Sequence, residues 1–186
     1  DLLGYCYMEI GDYKNSINSY QKSISLNPGN EEAYLQIGNL FSMNYDLNAV
    51  EYYEKVIELN PNNRIAQYNI GILYQNNQMY LESQESYHKL FDGTEDKIYS
   101  DANFNLGFIF MEDLNDFKNA INYFADAVRV NPNYYTAYYS MGLCYQSFGD
   151  IKNAEKFYRK SLDIYPDYEL SIKSLNKLLK DNKKYK

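Results

Sequence analysis

Five glycines constrain this chain more than any other feature. Gly4, Gly38, Gly71, Gly107 and Gly142 recur at intervals of 34, 33, 36 and 35 residues. Each follows a Leu, Ile or Met (Leu3, Ile37, Ile70, Leu106, Met141) and precedes by three an aromatic ring (Tyr7, Phe41, Tyr74, Phe110, Tyr145). A second column of small residues runs Ser16, Ala49, Ser83, Ala120 and Ala154, with Tyr20, Tyr53, Tyr87, Phe124 and Tyr158 four positions later. All four prolines, Pro28, Pro61, Pro132 and Pro166, fall at one phase near the end of the unit. Columns in register at this period mean a tandem array, in which each unit buries its apolar face on its neighbours.

Each unit reads as two helices. Tyr34, Ile37, Gly38 and Phe41 stand at i, i+3, i+4 and i+7, and Tyr138, Met141, Gly142 and Tyr145 repeat that face. Ala49, Tyr53 and Val56, like Ala120, Phe124 and Ala127, form a narrower stripe on a second helix. Gly11-Asp12 and Gly149-Asp150 are turn signals between the two, and Asn-Pro pairs close three units. A glycine inside a helix costs about 1 kcal/mol against alanine. Five at one phase therefore predict close backbone approach, with the glycine meeting the small residue of its partner helix and rings filling the remaining space.

These residues resemble the tetratricopeptide repeat (TPR), a helix–turn–helix unit, most closely in Met141-Gly142 through Tyr145, Gly149-Asp150, Ala154, Tyr158 and Pro166. The resemblance covers nearly the whole chain as repeats 1–30 (partial), 31–63, 64–99, 100–134 and 135–168. It implies an all-α fold, a right-handed α-solenoid. Residues 169–186 read as a capping helix and basic tail, with Ile172, Leu175 and Leu179 expected to cover the last repeat while Lys173, Lys177 and Lys180 face water. Asp1 would fall partway into a first helix, so a longer chain is expected upstream. The third unit lacks its proline and ends in Asp92-Gly93-Thr94-Glu95-Asp96-Lys97; the fourth carries an extra residue around Glu112-Asp113-Leu114-Asn115. The array should be least regular at those two places.

Catalysis finds little support. A single histidine, His88, denies any site needing two imidazoles, and Cys6 and Cys144 have no CxxC spacing. There is no phosphate-cradling glycine loop and no GxSxG or HExxH motif. Asp92, Glu95 and Asp96 lack the alternate spacing of a calcium loop and read as a solvated acidic turn. No metal, cofactor or enzymatic activity is expected. The net charge of −7 opposes nucleic-acid binding; residues 1–168 carry 12 basic and 23 acidic groups, and residues 169–186 six lysines against Glu169 and Asp181. Apolar runs of a few residues give no transmembrane segment. Two distant cysteines suit the cytoplasm and would also be tolerated in a periplasmic or envelope-associated setting, so both stay open.

What remains is surface. In TPR arrays the first helix of each unit lines a concave groove that accepts a peptide or a partner's helix. One position around from the core stripe, that groove would present Tyr5, Met8, Leu35, Gln36, Asn39, Met43, Tyr68, Asn69, Ile72, Phe104, Asn105, Phe108, Met111, Tyr139 and Leu143. The stripe mixes rings, aliphatics and amides without Lys or Arg, and its rings either pack between neighbouring first helices or meet a ligand. Asn39 and Asn69 resemble the asparagines of chaperone-tail binders, but Leu35, Asp101 and Asn105 stand where those bear basic residues, so a carboxylate clamp is not expected. Asn69 and Asn105 resemble rungs of the asparagine ladder of O-GlcNAc transferase arrays, which Gln36 and Ser140 interrupt. The expected function is a non-catalytic protein–protein interaction scaffold holding a protein or peptide segment, apolar with neutral or basic flanks, within a larger assembly. The alternative is the targeting arm of an enzyme whose catalytic domain lies elsewhere.

Overall fold

A computed structural model describes residues 1–184, with side chains through Asn182; the remainder of the basic tail lies outside the described residues. Among the described residues there are eleven helices and no strand. They pair as the repeat columns require: α1 (Leu2–Glu9) with α2 (Tyr13–Leu26), α3 (Glu31–Ser42) with α4 (Ala49–Leu59), and α5 (Arg64–Asn76) with α6 (Tyr80–His88). Then follow α7 (Lys97–Glu112) with α8 (Phe117–Val130), α9 (Tyr135–Ser147) with α10 (Ile151–Ile164), and the closing α11 (Glu169–Lys184). The chain divides into two compact units, 1–92 and 93–186, and the division falls in the proline-less junction after the third repeat.

Local chemistry explains where the helices start. Asp12, Asn30, Asn63, Asp96, Asp116 and Asp150 are N-caps whose side chains accept a hydrogen bond from the backbone N–H three residues on, at 2.8–3.2 Å. Ahead of α2, α8 and α10 the capping Asp also takes the side-chain amide of the residue it caps, Asn15, Asn119 or Asn153, at 2.6–2.7 Å. The turn inside each repeat needs one residue of positive φ, seven positions after the repeat glycine. Gly11 (76°) and Gly149 (73°) fill it with glycine, while Tyr45 (57°) and Gln78 (61°) adopt the same conformation with a side chain. In the fourth repeat the extra residue moves this position to Asn115 (52°), eight after Gly107.

The helix-interior glycines do mark close approach, but their neighbour corrects the expectation. What lies over each is the ring four residues beyond the small residue. A Cβ built on Gly142 would sit 2.5 Å from Cε1 of Tyr158, and on Gly71, Gly107, Gly38 and Gly4 it would meet Tyr87, Phe124, Tyr53 and Tyr20 at 2.5–2.9 Å. The small residue plays a different part. In repeats 1 and 3 it is a serine whose hydroxyl donates to the glycine carbonyl, Ser16 to Gly4 at 2.8 Å and Ser83 to Gly71 at 2.9 Å. A larger side chain there would push the second helix, and the ring it carries, away from the glycine and its carbonyl.

Each unit has its own apolar core. In residues 1–92 it gathers Tyr20, Ile37, Leu40, Tyr53, Val56 and Leu73; in residues 93–186 it gathers Leu106, Ile109, Phe124, Ala137, Met141 and Tyr158. The closing helix covers the last repeat with Leu175 and Leu178, both buried against Ala154 and Tyr158, while Leu179 packs partly. Ile172, expected on that face, is exposed. The helical turn explains it: Ser171, Leu175 and Leu178 lie at i, i+4 and i+7, and the buried Ser171 hydroxyl donates to Ser161 at 2.9 Å, which aims Ile172 outward.

Candidate functional site

The first helices carry the candidate binding residues, and the two compact units present them separately. In residues 1–92, α1 exposes Tyr5 and half-buries Met8 against the core of Tyr20, Ala33, Ile37 and Leu40. The carboxylate of Glu9, one turn along the helix, raises the Tyr5 hydroxyl above its ordinary range, by charge first and then by hydrogen bonding. On α3, Leu35 packs partly onto the core of Tyr53, Val56 and Ile70, Gln36 donates to Glu32 at 2.7 Å, and Met43 is exposed. Asn39 is shared: its carbonyl accepts from the Tyr53 hydroxyl at 2.9 Å and from Asn69 on α5 at 3.2 Å. That bond links neighbouring first helices amide to amide. Beside Asn69 on α5, Tyr68 tilts against Tyr87 at 5.9 Å and Ile72 is half-buried.

In residues 93–186, Phe104 is stacked on Tyr134 at 4.7 Å and tilted on Phe124 at 5.7 Å, so it is partly a packing ring. Phe108, one turn along, is 41% exposed. Asn105 is half-buried between them. Met111, expected on the face, is 4% exposed and belongs to the core with Phe124, Ala137 and Met141. Its place near the end of α7, where the second helix closes in, turns it inward. On α9, Tyr139 lies against Tyr158 at 5.8 Å and Tyr168 at 5.4 Å, and Leu143 packs between two clusters of the core. The half-buried rings therefore pack as well as line the face, and Tyr5, Met43 and Phe108 are its freest apolar groups.

Charge on these faces is less uniformly acidic than the stripe alone suggests. Glu9, Glu32 and Glu112 are exposed, but Lys97 pairs with Asp101 at 2.5 Å, so one cation does reach α7. The acidic turn between the units is committed elsewhere: Asp92 pairs with Arg64 at 2.8 Å, Glu95 with Arg129 at 2.5 Å, and Asp96 caps α7. Arg129 is the largest influence on the Glu95 carboxyl, holding it below its usual range by hydrogen bond and charge. These three carboxylates are held by three different elements.

Models of the tetratricopeptide repeat match residues 31–63, 100–134 and 135–168, and a TPR repeat model matches residues 4–44. The chain belongs to the TPR family. Proteins built of this repeat are typically protein-interaction scaffolds. The fold is shared with solved TPR structures. The pilF protein of Pseudomonas aeruginosa aligns with a TM-score of 0.80 at 18% identity, over 98% of this chain and 82% of that one. A MamA crystal structure aligns at 0.73 and 24% identity over 87% of both chains. PilW, described as a type IV pilus biogenesis factor, aligns at 0.69 and 18% over 100% of this chain and 92% of that one. Against curated protein sequences the TPR chain has no significant match.

Proposed function

We propose that this TPR chain is a non-catalytic scaffold that holds a protein segment on its first-helix faces. The observation that carries the reading is an exposed apolar anchor on each unit's face, Tyr5 and Met43 on one and Phe108 on the other, in a chain whose other large rings are mostly packed. Amides lie beside them. Asn39 and Asn69 already bond each other, a rigid pair that offers its remaining donors and acceptors to a peptide backbone. Glu9, Glu32 and Glu112 favour a segment with basic flanks over an acidic one. The non-catalytic reading is supported by the commitments of the polar groups. The capping carboxylates serve helix starts, and Cys144 is fully buried, its thiol pushed up to about 12 by burial.

The test is a peptide array in which a fixed apolar centre is flanked by Lys and Arg, by neutral residues, or by Glu. The expected order of capture is basic, neutral, acidic. A central aromatic anchor typically carries ~2 kcal/mol or more of an interface. Phe108→Ala should therefore cut capture by the second face severely, with an unchanged far-ultraviolet circular dichroism spectrum. Capture that ignores flank charge and survives both Phe108→Ala and Met43→Ala would refute the first-helix assignment.

A further inference from the structure

The ring columns contain two gaps, and beside one of them lies a cavity. In three repeats the aromatic residue three after the glycine is stacked on the residue just before the second-helix ring. Phe41 lies on Tyr52 at 5.5 Å, Phe110 on Tyr123 at 5.1 Å, and Tyr145 on Phe157 at 5.2 Å with planes 4° apart. In the third repeat the first ring is present as Tyr74, but the partner position is Ser86. A hydroxymethyl group stands where a six-membered ring belongs. The consequence is a cavity of about 450 Å³ bounded by α4, the turn at Pro61, α5 and α6. Its apolar wall is Ile57, Ile70 and Tyr74, with the buried Ser86 beside them. Repeat 1 has the same substitution, Ser19 opposite Tyr7, and a recess of about 260 Å³ opens there as well.

The rim sets the chemistry. Glu54 and Glu58 border the cavity from α4, Glu82 and Glu85 from α6, against Lys89 alone. Lys55 pairs with Glu58 from outside the cavity, leaving Glu54, Glu82 and Glu85 with no ion pair among the described residues. Their field reaches the wall: burial first, then the charges of Glu54 and Glu82, raise the Tyr74 hydroxyl above its ordinary range. Gln67 is held by the Ser86 carbonyl at 3.2 Å and cannot fill the space.

We infer that this cavity is a second binding site, which accepts an aromatic side chain of a partner protein flanked by lysine or arginine. The inserted ring stacks on Tyr74 in the place of the missing one, and the flanking cations meet Glu54, Glu82 and Glu85 at the rim. An aliphatic side chain would forgo the stacking contact that three sibling repeats make, and an acidic flank would meet three unpaired carboxylates. The site shares no residue with the first-helix stripe, so it serves a different ligand segment from the one proposed above.

The experiment uses the whole chain and a dye-labelled acetyl-Lys-Lys-Phe-Lys-Lys-amide, read by fluorescence anisotropy at low salt. The expected result is binding at least about tenfold tighter than that of Lys-Lys-Ser-Lys-Lys or Glu-Glu-Phe-Glu-Glu, weakening as salt screens the rim. Ser86→Tyr supplies the missing ring and should abolish that binding without lowering the melting temperature. Glu82→Gln with Glu85→Gln alters only exposed groups, and should weaken binding and flatten its salt dependence even if the Ser86 variant proves unstable. Equal binding of the three peptides, or unchanged binding by folded Ser86→Tyr or by the double Gln variant, would overturn the site. Binding that survives Ser86→Tyr and disappears in Phe108→Ala would place the peptide on the first-helix face instead.

Discussion

Replacing Gly142 with alanine sets two known effects against each other. Helix propensity favours alanine over glycine by about 1 kcal/mol in a helix interior. Against this, the new Cβ would arrive 2.5 Å from Cε1 and 2.6 Å from Cδ1 of Tyr158, roughly 1 Å inside ordinary carbon contact. The ring has nowhere to go. It is fully buried against Ala154, Leu175 and Leu178, and its hydroxyl donates to Gln146 at 2.6 Å. Overpacking costs ~1–3 kcal/mol, and a 2.5 Å approach to a fully buried ring belongs in the upper half of that range, so after the propensity gain is deducted Gly142→Ala should destabilise by about 1–2 kcal/mol. The assay is urea unfolding followed by circular dichroism, with a fall in midpoint at unchanged slope. Gly29→Ala is the control, since its Cβ would meet only Asn27 Oδ1 at 3.5 Å. Tyr158→Leu should cost stability by itself, yet in the double variant the two losses should fail to add by about 1 kcal/mol or more. A Gly142→Ala protein as stable as wild type, or strictly additive with Tyr158→Leu, would refute the claim that the ring demands the glycine.

The closing helix gives a paired prediction: Leu178→Ala should cost ~2–4 kcal/mol by leaving a cavity over Tyr158, whereas Ile172→Ala should stay within about 0.5 kcal/mol, both read by thermal melting. At the internal turn of repeat 3, Gln78→Gly relieves a positive φ of 61°. The gain in urea unfolding should be about 0.5–1 kcal/mol, after the greater freedom of the unfolded glycine is deducted. The Asp150 carboxyl is held below its ordinary range chiefly by the backbone N–H of Asn153, then by that residue's side chain. A depressed carboxyl stabilises fully above its unfolded value and loses that contribution as pH falls through the folded value. Asp150→Asn should therefore be less stable than wild type near neutral pH, and the gap should close below about pH 4; an equal gap at both would show that the cap's charge contributes nothing.

Much of this TPR protein is legible in its sequence because tandem repetition tests each residue's role five times. Glycine, small residue, ring and proline recur in register, and the helix pairs follow from 3.6-residue periodicity alone, with no long-range information required. Periodicity says which face is buried but not which atom touches which. The glycines were legible as close contacts, yet only packing shows that the neighbour is Tyr158 or Tyr87 and that Ser16 and Ser83 serve the glycine carbonyl. The inner turn was visible at Gly11 and Gly149 and, through the extra residue, near Asn115, but hidden at Tyr45 and Gln78, where residues without a glycine signature take the same backbone because the flanking helices impose it. The first-helix face was legible as a stripe, while the depth of each member was not. Phe108 and Met111 are both large and apolar and sit about one helical turn apart, and the approach of the second helix alone makes one surface and the other core. Ser86 shows the same limit from the other side. It reads as an ordinary polar helix residue until three stacked pairs in space show that a ring is missing beside Tyr74, because a cavity is a property of what surrounds a residue and not of the residue itself.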